Sequence, residues 1–175
     1  MTAAEARRRF AAARVARLAT VRTIPADHGD HGDHGDHPDG HDGHDGHDGH
    51  DGHDDTGGGA PCTPHLVPIV FAVAADTIYS AVDAKPKRTT ALRRLANVVA
   101  NPAVAVLADH YDDGDWDALW WVRADGTGRI LAPGDGEAAH AVALLSDRYP
   151  QHRDQPPAGP VLAVDVARWS GWTAR

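Results

Sequence analysis

The sequence predicts a mainly β domain with packed helices, an α+β fold in which short antiparallel strands form a small barrel. Six or seven short apolar and β-branched stretches are separated by turn residues, which indicates antiparallel hairpins. Only three stretches have helical periodicity, too few for a parallel sheet with a helix after every strand. The chain has 175 residues, the usual size of one domain, and we assign residues 1–175 to it.

The first helix and the first strands are predicted from a cap, periodicity and β-branched runs. Thr2 and Glu5 have the spacing of a capping box, which begins a helix that ends near Arg14. The inner face of this helix carries Ala3, Ala6, Phe10 and Ala13. Strands are predicted at residues 15–23, 65–73 and 77–82, the last two joined by a turn at Ala75-Asp76.

The second half of the chain is predicted to begin with a helix that Thr89 or Thr90 caps and Asn101-Pro102 ends. Its apolar face consists of Leu92, Leu95, Ala96 and Val99. A buried strand follows at residues 103–108, and Asp125-Gly126 predicts a hairpin turn between two further strands, 118–124 and 127–131. A helix over residues 137–149 and an alternating strand over 161–169 complete the fold.

The formal net charge of −8 combines two unlike parts of the chain. Residues 27–55 contain 11 of the 25 acidic residues, all of them Asp, and nine of the 13 His. The rest of the chain has 17 Lys and Arg against the other 14 acidic residues, a charge of +3. The protein is therefore a mildly basic domain with an acidic, histidine-rich insertion.

Residues 27–59 are a low-complexity insertion of HGD and HDG repeats between two predicted strands, at the tip of a hairpin. The insertion lacks aliphatic and aromatic residues, so we expect it to be disordered. One hypothesis is metal binding, because imidazole and carboxylate groups are ligands of nickel and zinc. The candidate ligands are His28, His31, His34, His41, His44 and His47. The alternative is a repeat that expanded in a loop tolerant of insertion.

Several classes of protein are excluded by composition. No run of 18 apolar residues exists, which excludes a membrane-spanning helix, and the single Cys62 excludes an intrachain disulfide framework. The arginine-rich start is not followed by the apolar stretch of a secretory signal. We expect a cytoplasmic protein with no membrane or nucleic-acid partner.

A basic segment directly precedes the second helix. Lys85, Lys87 and Arg88, followed by Thr89, lie where the helix dipole disfavours cations by roughly 0.3–1 kcal/mol each. An anion would explain the pattern, because backbone N–H groups, hydroxyls and basic side chains can bind one phosphate together. The alternative is a solvated basic loop.

Tryptophan is the second unusual feature, since five of the ten aromatic residues are Trp. Trp120 and Trp121 are adjacent in a predicted strand, so one ring lies on each face of the sheet. We expect a flat aromatic ligand or a subunit interface to cover the ring that points outward. Ordinary core and surface positions remain the alternative for at least three of the five.

The order of these motifs resembles the split-barrel flavin-binding family, the pyridoxamine 5′-phosphate oxidase-like superfamily. The matching segments are Arg17-Leu18-Ala19-Thr20-Val21, Pro64-His65-Leu66-Val67-Pro68, Tyr79-Ser80, residues 85–90, Leu92-Arg93-Arg94-Leu95, Asn101-Pro102 and residues 104–107. Within it, the chain is similar to the actinobacterial branch that depends on the deazaflavin coenzyme F420. The resemblance covers the chain except the insertion.

This resemblance implies a split β-barrel of the FMN-binding type that forms a homodimer with cofactor sites at the interface. It implies that Lys85, Lys87, Arg88 and Thr89 bind cofactor phosphate. It also places Pro68, Ile69 and Val70 along the flavin ring, and by extension Trp121 and Trp172. The C-terminal Arg168-Trp169-Ser170-Gly171-Trp172 departs from the basic motif of pyridoxamine phosphate oxidases, which argues against that substrate.

The function that follows from the resemblance is an oxidoreductase that passes a hydride from reduced F420 to a small unsaturated substrate. FMN is the alternative cofactor. Two other classes stay open: a metal-binding protein in which the barrel carries the repeat, and a cofactor- or haem-binding module without turnover. No catalytic residue is assigned, and His65, His110 and Tyr79 are the candidates for a catalytic acid.

Overall fold

The structure is a computed structural model that describes residues 1–23, 62–82 and 90–174. Its helices are α1 (Ala3–Ala12), α2 (Thr90–Ala100), α3 (Gly136–Arg148) and α4 (Pro150–Asp154), with a 3₁₀ turn at Trp116–Ala118. Its strands are β1 (Ala16–Thr23), β2 (Cys62–Ile69), β3 (Ala72–Ala74), β4 (Thr77–Ala81), β5 (Ala103–His110), β6 (Trp120–Leu131) and β7 (Val161–Thr173).

The seven strands form one antiparallel sheet in the order β2-β1-β5-β6-β7-β4-β3. The two strands at its ends, β2 and β3, are joined in the chain by Val70 and Phe71 alone. Because two residues cannot span a flat seven-stranded sheet, the sheet must curve until its edges approach each other. The predicted α+β class with a split β-barrel is confirmed.

The larger core cluster lies on the concave side of the sheet, and a smaller cluster lies on the opposite side, because their residues alternate along β4 and β7. Phe10 of α1 packs on Phe71 and Trp169, with ring centroids 4.8 and 5.2 Å apart. Leu95 and Val98 of α2 join the same cluster. A second cluster surrounds α3, where Leu145 is fully buried. Alternate residues along β1, β5 and β6 point into this core, so the remaining residues form an outer face.

The predicted first helix is confirmed with small differences at its ends. The Oγ1 of Thr2 accepts a hydrogen bond from the backbone N–H of Glu5 at 3.3 Å, as expected for an N-cap. Ala6 and Phe10 are buried, whereas Ala3 is exposed. The helix ends at Ala12 rather than near Arg14.

The predicted strand at residues 65–73 is wrong as a single element, since it breaks at Val70 and Phe71. The hydroxyl of Tyr149 lies 3.2 Å from the backbone nitrogen of Phe71 and 2.9 Å from its carbonyl oxygen. It therefore accepts from the N–H that a neighbouring strand would otherwise bind, and its one proton is donated to the carbonyl oxygen of Phe71 or of Arg14, each 2.9 Å away. The break allows β2 to pair with β1 while β3 forms the predicted hairpin with β4.

The predicted hairpin turn at Asp125-Gly126 is also wrong. β6 continues through both residues and pairs with β7 over its whole length, with a register shift between Asp125 and Gly126. A Cβ atom on Gly126 would lie 2.3 Å from the carbonyl oxygen of Asp165. The glycine thus permits a β-bulge and a close approach of strands instead of a turn.

The helices differ from the prediction in two respects. On α2 the inner face carries Leu95, Asn97 and Val98, while Ala96 is exposed and Val99 is 77% exposed. The C-terminal helix of the prediction ends at Arg148, and Pro150 begins the additional helix α4. Proline is favoured in the first turn of a helix, so it starts an element where the sequence indicated an end.

Thr23 at the end of β1 pairs with Cys62 at the start of β2. The insertion 27–59 connects these paired positions and lies outside the described residues, so its disorder stays a prediction. Within the parts of the chain that the structure describes, no helix combines the length and apolar character needed to cross a membrane.

Candidate functional site: the outer face of the sheet

The outer face of β1, β2, β5, β6 and β7 carries an exposed mixture of aromatic, apolar and charged side chains. Its alternating residues follow from the strand registers, since partners in a ladder lie on the same side. This face includes Arg17, Leu66, Pro68, Leu107, Asp109, Trp121, Arg123, Asp125, Arg168 and Trp172.

Trp121 and Trp172 are directly opposite each other on β6 and β7. Their exposed fractions are 38% and 47%, although each ring is large and apolar. Trp120, by contrast, is partly buried against the core, and so is Trp169. The predicted split of Trp120 and Trp121 between the two faces is confirmed, and the outward pair offers a flat apolar surface.

Arginines surround this aromatic pair. Arg17 forms an ion pair with Asp109, the ladder partner of Trp121. Asp125 lies 2.9 Å from both Arg123 and Arg168. Three arginines against two carboxylates leave the group with one positive charge. Ion pairs this exposed contribute little to stability, and their local charge favours an anionic ligand.

The three residues expected along a flavin ring do not share one face. Pro68 is exposed on the outer face of β2, Ile69 is buried in the core, and Val70 packs against the second core cluster. On the outer face, β1 and β5 separate Pro68 from Trp121, which is three strand spacings or roughly 14 Å. Within one chain, the ring system of one cofactor can therefore contact either Pro68 or the tryptophan pair, but not both.

The predicted phosphate-binding residues Lys85, Lys87, Arg88 and Thr89 lie outside the described residues. The helix that they precede is present and begins at Thr90, as the sequence predicts. Their role stays a prediction. The candidate metal ligands His28, His31, His34, His41, His44 and His47 also lie outside the described residues. Within residues 1–23, 62–82 and 90–174, no three His, Cys, Asp or Glu side chains converge as metal ligands.

The candidates for a catalytic acid have different surroundings. His110 is exposed and stacks on Trp120 at a centroid distance of 6.4 Å. The hydroxyl of Tyr79 donates to Glu137 Oε1 at 2.9 Å, and burial followed by this hydrogen bond raises the pKa of Tyr79. His65 Nδ1 lies 3.4 Å from Thr20 Oγ1, which in turn accepts from Asn97 Nδ2 at 2.9 Å.

A charged network that the sequence did not reveal surrounds Arg129 on β6. Its guanidinium binds Glu137 of α3 at 2.6 and 2.8 Å and Asp165 of β7 at 2.7 Å. Hydrogen bonds from Arg129, then one from Tyr79, lower the pKa of Glu137. The Arg129 hydrogen bonds likewise lower the pKa of Asp165 against the opposing effect of burial. Because every group has a partner, the network fixes α3 to the sheet.

The comparisons with known proteins support the fold. Neither a protein-family model nor a curated protein sequence matches the chain. Among solved structures, it is similar to a FAD-binding protein from Mesorhizobium loti, with 18% identity, a TM-score of 0.56 and coverage of 98% of this chain and 94% of that one.

Two further solved structures have the same fold. One is a conserved hypothetical protein from Mycobacterium tuberculosis, with 19% identity, a TM-score of 0.60 and coverage of 100% and 86% of the two chains. The other is a candidate pyridoxamine 5′-phosphate oxidase from Corynebacterium glutamicum, with 15% identity, a TM-score of 0.52 and coverage of 98% and 88%. At these identities the likeness shows a common fold.

Proposed function

We propose that the protein is an oxidoreductase that uses coenzyme F420, with FMN as the alternative, and works as a homodimer. The observation that carries the proposal is the exposed Trp121–Trp172 pair on a net-positive outer face of a split barrel. A planar anionic cofactor matches both properties of this face. The similarity to a FAD-binding protein of the same fold adds support.

The basic segment supplies the phosphate site in this proposal. Lys85, Lys87, Arg88 and Thr89 directly precede α2, where backbone N–H groups and the helix dipole favour an anion. Pro68, Val70 and the backbone of Ile69 lie along the cofactor ring. Because roughly 14 Å separate Pro68 from Trp121, we assign the aromatic wall formed by Trp121 and Trp172 to the second copy of the dimer.

The bound cofactor supplies the hydride chemistry, which no pair of protein side chains would provide. The chain binds the phosphate with Lys85, Lys87 and Arg88. It orients the ring against the β2 backbone, and the tryptophan pair excludes water from the face where a substrate binds. A small unsaturated molecule such as an enone or a quinone is the proposed substrate class.

The cofactor is tested by titrating the purified protein with F420, FMN and FAD in parallel. We expect Lys87→Ala and Arg88→Ala each to weaken binding by about 10- to 100-fold, the effect of losing one charge-assisted hydrogen bond. Arg153→Ala is the matched control, because Arg153 is an exposed arginine of α4 that is not part of the basic segment. Unchanged affinity in both test variants would remove the phosphate site.

Turnover and assembly are tested separately. The protein is mixed with reduced coenzyme and with each member of a panel of enones and quinones. The absorbance of the coenzyme is then recorded over time and is expected to show its oxidation. Light scattering after size-exclusion chromatography is expected to give the mass of a dimer. The Trp172→Lys variant is expected to dissociate into monomers at higher protein concentrations than the wild type. Absence of both cofactor binding and oxidation would overturn the proposed activity, and a monomeric wild type would overturn the shared site.

A second candidate function rests on the sequence of the insertion, which holds nine His among eleven Asp. We propose nickel or zinc binding by this segment, with His28, His31, His34, His41, His44 and His47 among the ligands. Calorimetric titration of the full chain and of a variant lacking residues 27–59 separates the two candidates. Tight metal binding to the isolated segment, together with loss of cofactor binding in the shortened variant, would favour the metal-binding function.

A further inference from the structure

Arg123 of β6 differs from the other arginines of the outer face because its guanidinium makes no hydrogen bond to a described residue. Arg168 donates two hydrogen bonds to Oδ2 of Asp125, at 2.9 and 3.2 Å. Arg17 donates to the carboxylate of Asp109. The Nε of Arg123 lies 2.9 Å from Oδ1 of Asp125, but its N–H is not aligned with that oxygen. This buried N–H therefore has no hydrogen-bond acceptor in the described part of the chain.

The surplus positive charge of the outer face therefore resides on Arg123. Asp109 and Asp125 neutralise one arginine each, through the hydrogen bonds from Arg17 and Arg168. A guanidinium is always charged in a protein and carries five N–H donors in a fixed plane. Buried N–H groups without an acceptor are rare in folded proteins, so this one indicates a ligand that supplies the acceptor. The side chain of Arg123 is 43% exposed, which allows a ligand to reach its terminal nitrogens.

A flat apolar surface lies next to this guanidinium. Arg123 follows Trp121 by two residues on the same face of β6, a spacing of roughly 7 Å along the strand. Trp172 is directly opposite Trp121, and Leu107 of β5 is the ladder partner of Arg123. A planar molecule that lies on the two indole rings can therefore bring a charged group at its edge to Arg123.

The surroundings of Arg123 match a carboxylate better than a phosphate. Two N–H groups of a guanidinium fit the two oxygens of a carboxylate, and such charge-assisted pairs are strong and directional. A carboxylate carries one negative charge, which the one surplus positive charge neutralises, whereas a phosphate monoester carries about 1.5 to 2 negative charges at neutral pH. Leu107 and the tryptophan rings lower the local polarity, which strengthens the attraction between the two ions.

We infer that Arg123 is a specificity-determining residue that binds the carboxylate of a planar, unsaturated substrate lying on Trp121 and Trp172. The inference rests on the proposed function, in which the segment before α2 binds the cofactor phosphate and the charge of Arg123 remains for the substrate. Like the tryptophan pair, Arg123 reaches the cofactor ring from the second copy of the dimer. The substrate class narrows to enones and quinones that carry a carboxylate. The carboxylate anchors the substrate and orients its reacting part, and no bond is made or broken at Arg123.

The anion site is tested without any cofactor by calorimetric titration of the full chain with cinnamate and with cinnamyl alcohol, which has the same flat skeleton but no charge. We expect the wild type to bind cinnamate about 10- to 100-fold more tightly, the effect of hydrogen bonds between charged groups. Arg123→Gln is expected to remove this preference, and Arg123→Lys, which keeps the charge but not the planar fork, to retain part of it. Arg8→Gln, on the exposed side of α1, is the matched control. A wild type that binds both compounds equally, or neither of them, overturns the site.

The substrate class is tested by turnover of an enone that carries a benzoate group and of its methyl ester, each with reduced F420 or FMN. We expect kcat/KM of the wild type for the acid to exceed that for the ester by about 10-fold or more, chiefly through a lower KM. In Arg123→Gln this ratio is expected to fall towards one, while Arg8→Gln keeps the wild-type ratio. Melting curves and light scattering verify that each variant folds and has the mass of the wild type.

Failures of the two proposals are distinguishable. If the wild type oxidises no reduced coenzyme but prefers cinnamate through Arg123, the proposed function and the substrate class fall, and the anion site stands. If the wild type turns over the ester as well as the acid, the inference alone is overturned. If Arg123→Gln weakens binding of F420 or FMN but keeps the preference for the acid, the guanidinium binds the cofactor and the inference is overturned. If Arg123→Lys equals the wild type in that preference, the paired geometry is overturned.

Discussion

A single residue, Tyr149, determines where β2 ends and β3 begins. Its hydroxyl accepts from the backbone N–H of Phe71 and donates to the carbonyl oxygen of Phe71 or Arg14, each 2.9 Å away. Phe71 is thereby free to leave the sheet and bury its ring against Phe10. The Tyr149 hydroxyl thus takes the place of a strand partner at Phe71, and the chain can change direction between β2 and β3.

Removing that hydroxyl leaves buried backbone groups without a partner. We predict that Tyr149→Phe lowers the free energy of unfolding by about 1–3 kcal/mol, the cost of one unsatisfied buried group. Tyr111→Phe is the control, because Tyr111 is 74% exposed and the same change there stays within about 0.5 kcal/mol. Chemical denaturation measures both variants. Equal stability of the two would contradict the role given to Tyr149.

The network of Arg129 predicts how stability depends on pH. The pKa values of Glu137 and Asp165 are lowered from 4.5 and 3.8, chiefly by hydrogen bonds from Arg129. Below those values the unfolded chain binds more protons than the folded one, so the stabilisation is present at neutral pH and is lost on acidification. We predict that the melting temperature of the wild type falls between about pH 5 and pH 3.

Arg129→Met tests the origin of that dependence. The variant is expected to melt below the wild type at about pH 7 and to approach it at about pH 3, where the network no longer contributes. Arg8→Met, on the exposed side of α1, is the matched control and is expected to follow the wild-type curve. Parallel curves for wild type and Arg129→Met would show that the network is not the source.

Among the strands, a bulge at Ala167 of β7, opposite Asp125 and Gly126 of β6, decides how the two longest strands pair. β6 and β7 remain paired on both sides of Gly126 because the register shifts by one residue there. Aspartate followed by glycine is a strong hairpin signal, and local preference alone predicts a turn. Twelve of the thirteen residues of β7 pair along all of β6, and this tertiary pairing overrides the local signal.

We predict that Gly126→Ala destabilises the protein by about 1–3 kcal/mol, because its Cβ would lie 2.3 Å from the carbonyl oxygen of Asp165. Gly136→Ala provides the comparison, since nothing lies within 4 Å of a Cβ built there at the start of α3. That change is expected to be neutral or stabilising by up to about 1 kcal/mol. Thermal unfolding of both variants measures the difference, and a stable Gly126→Ala would argue against close packing at the bulge.

The helices show which features a sequence can predict. The start of α1 followed from Thr2 and Glu5, because caps are local chemistry. The buried face of α2 could not be predicted in the same way. Val99 continues the apolar periodicity but is exposed, whereas Asn97 is buried and hydrogen-bonded to Thr20. Which side of a helix meets the sheet depends on partners distant in sequence.

The edge strand β2 contains two prolines that limit its pairing with other strands. It lies at the end of the sheet and carries Pro64 and Pro68. Proline has no N–H to give to a neighbouring strand, so it is tolerated where that position faces the free edge. Two prolines with Leu66 between them leave few donors for another strand, which protects the edge from unwanted pairing.

At the scale of the whole molecule, the sequence predicted the fold class more completely than the site. The predicted fold class depends on the hairpins and on the number of helices, and both are indicated by local signals that occur many times along the chain. A single error, such as the turn predicted at Gly126, therefore leaves the predicted fold class unchanged. The site requires residues from distant segments to share one face. One ring of the Trp120–Trp121 pair was expected to point outward. The structure shows that it is Trp121, and its pairing with Trp172 follows only from the register of β6 and β7.

The net charge also acquires a meaning at this scale. The chain carries −8 because the aspartates of the insertion outweigh a domain of charge +3. The arginines of that domain stand in part around Trp121 and Trp172, and Lys85, Lys87 and Arg88 precede α2. We therefore propose that the barrel attracts an anion independently of the insertion, which makes the insertion separable from the cofactor site.

A variant without residues 27–59 tests that separation. Thr23 and Cys62 are ladder partners, so the five remaining residues 24–26 and 60–61 suffice to close a hairpin. Shortening the loop by about three halvings of its length lowers the entropy cost of closing it by roughly 2 kcal/mol. We predict a folded variant with a higher melting temperature and a basic isoelectric point.

The shortened variant is also expected to keep the wild-type affinity for F420 or FMN, because its basic residues and tryptophans are unchanged. It should lose nickel binding, since nine of the 13 His are gone. Calorimetry with cofactor and with nickel, alongside melting curves, measures all three properties on one preparation. Loss of the folded state would give the insertion a structural role. Loss of cofactor affinity in a folded variant would contradict the separation of the insertion from the cofactor site, because no other residue has changed.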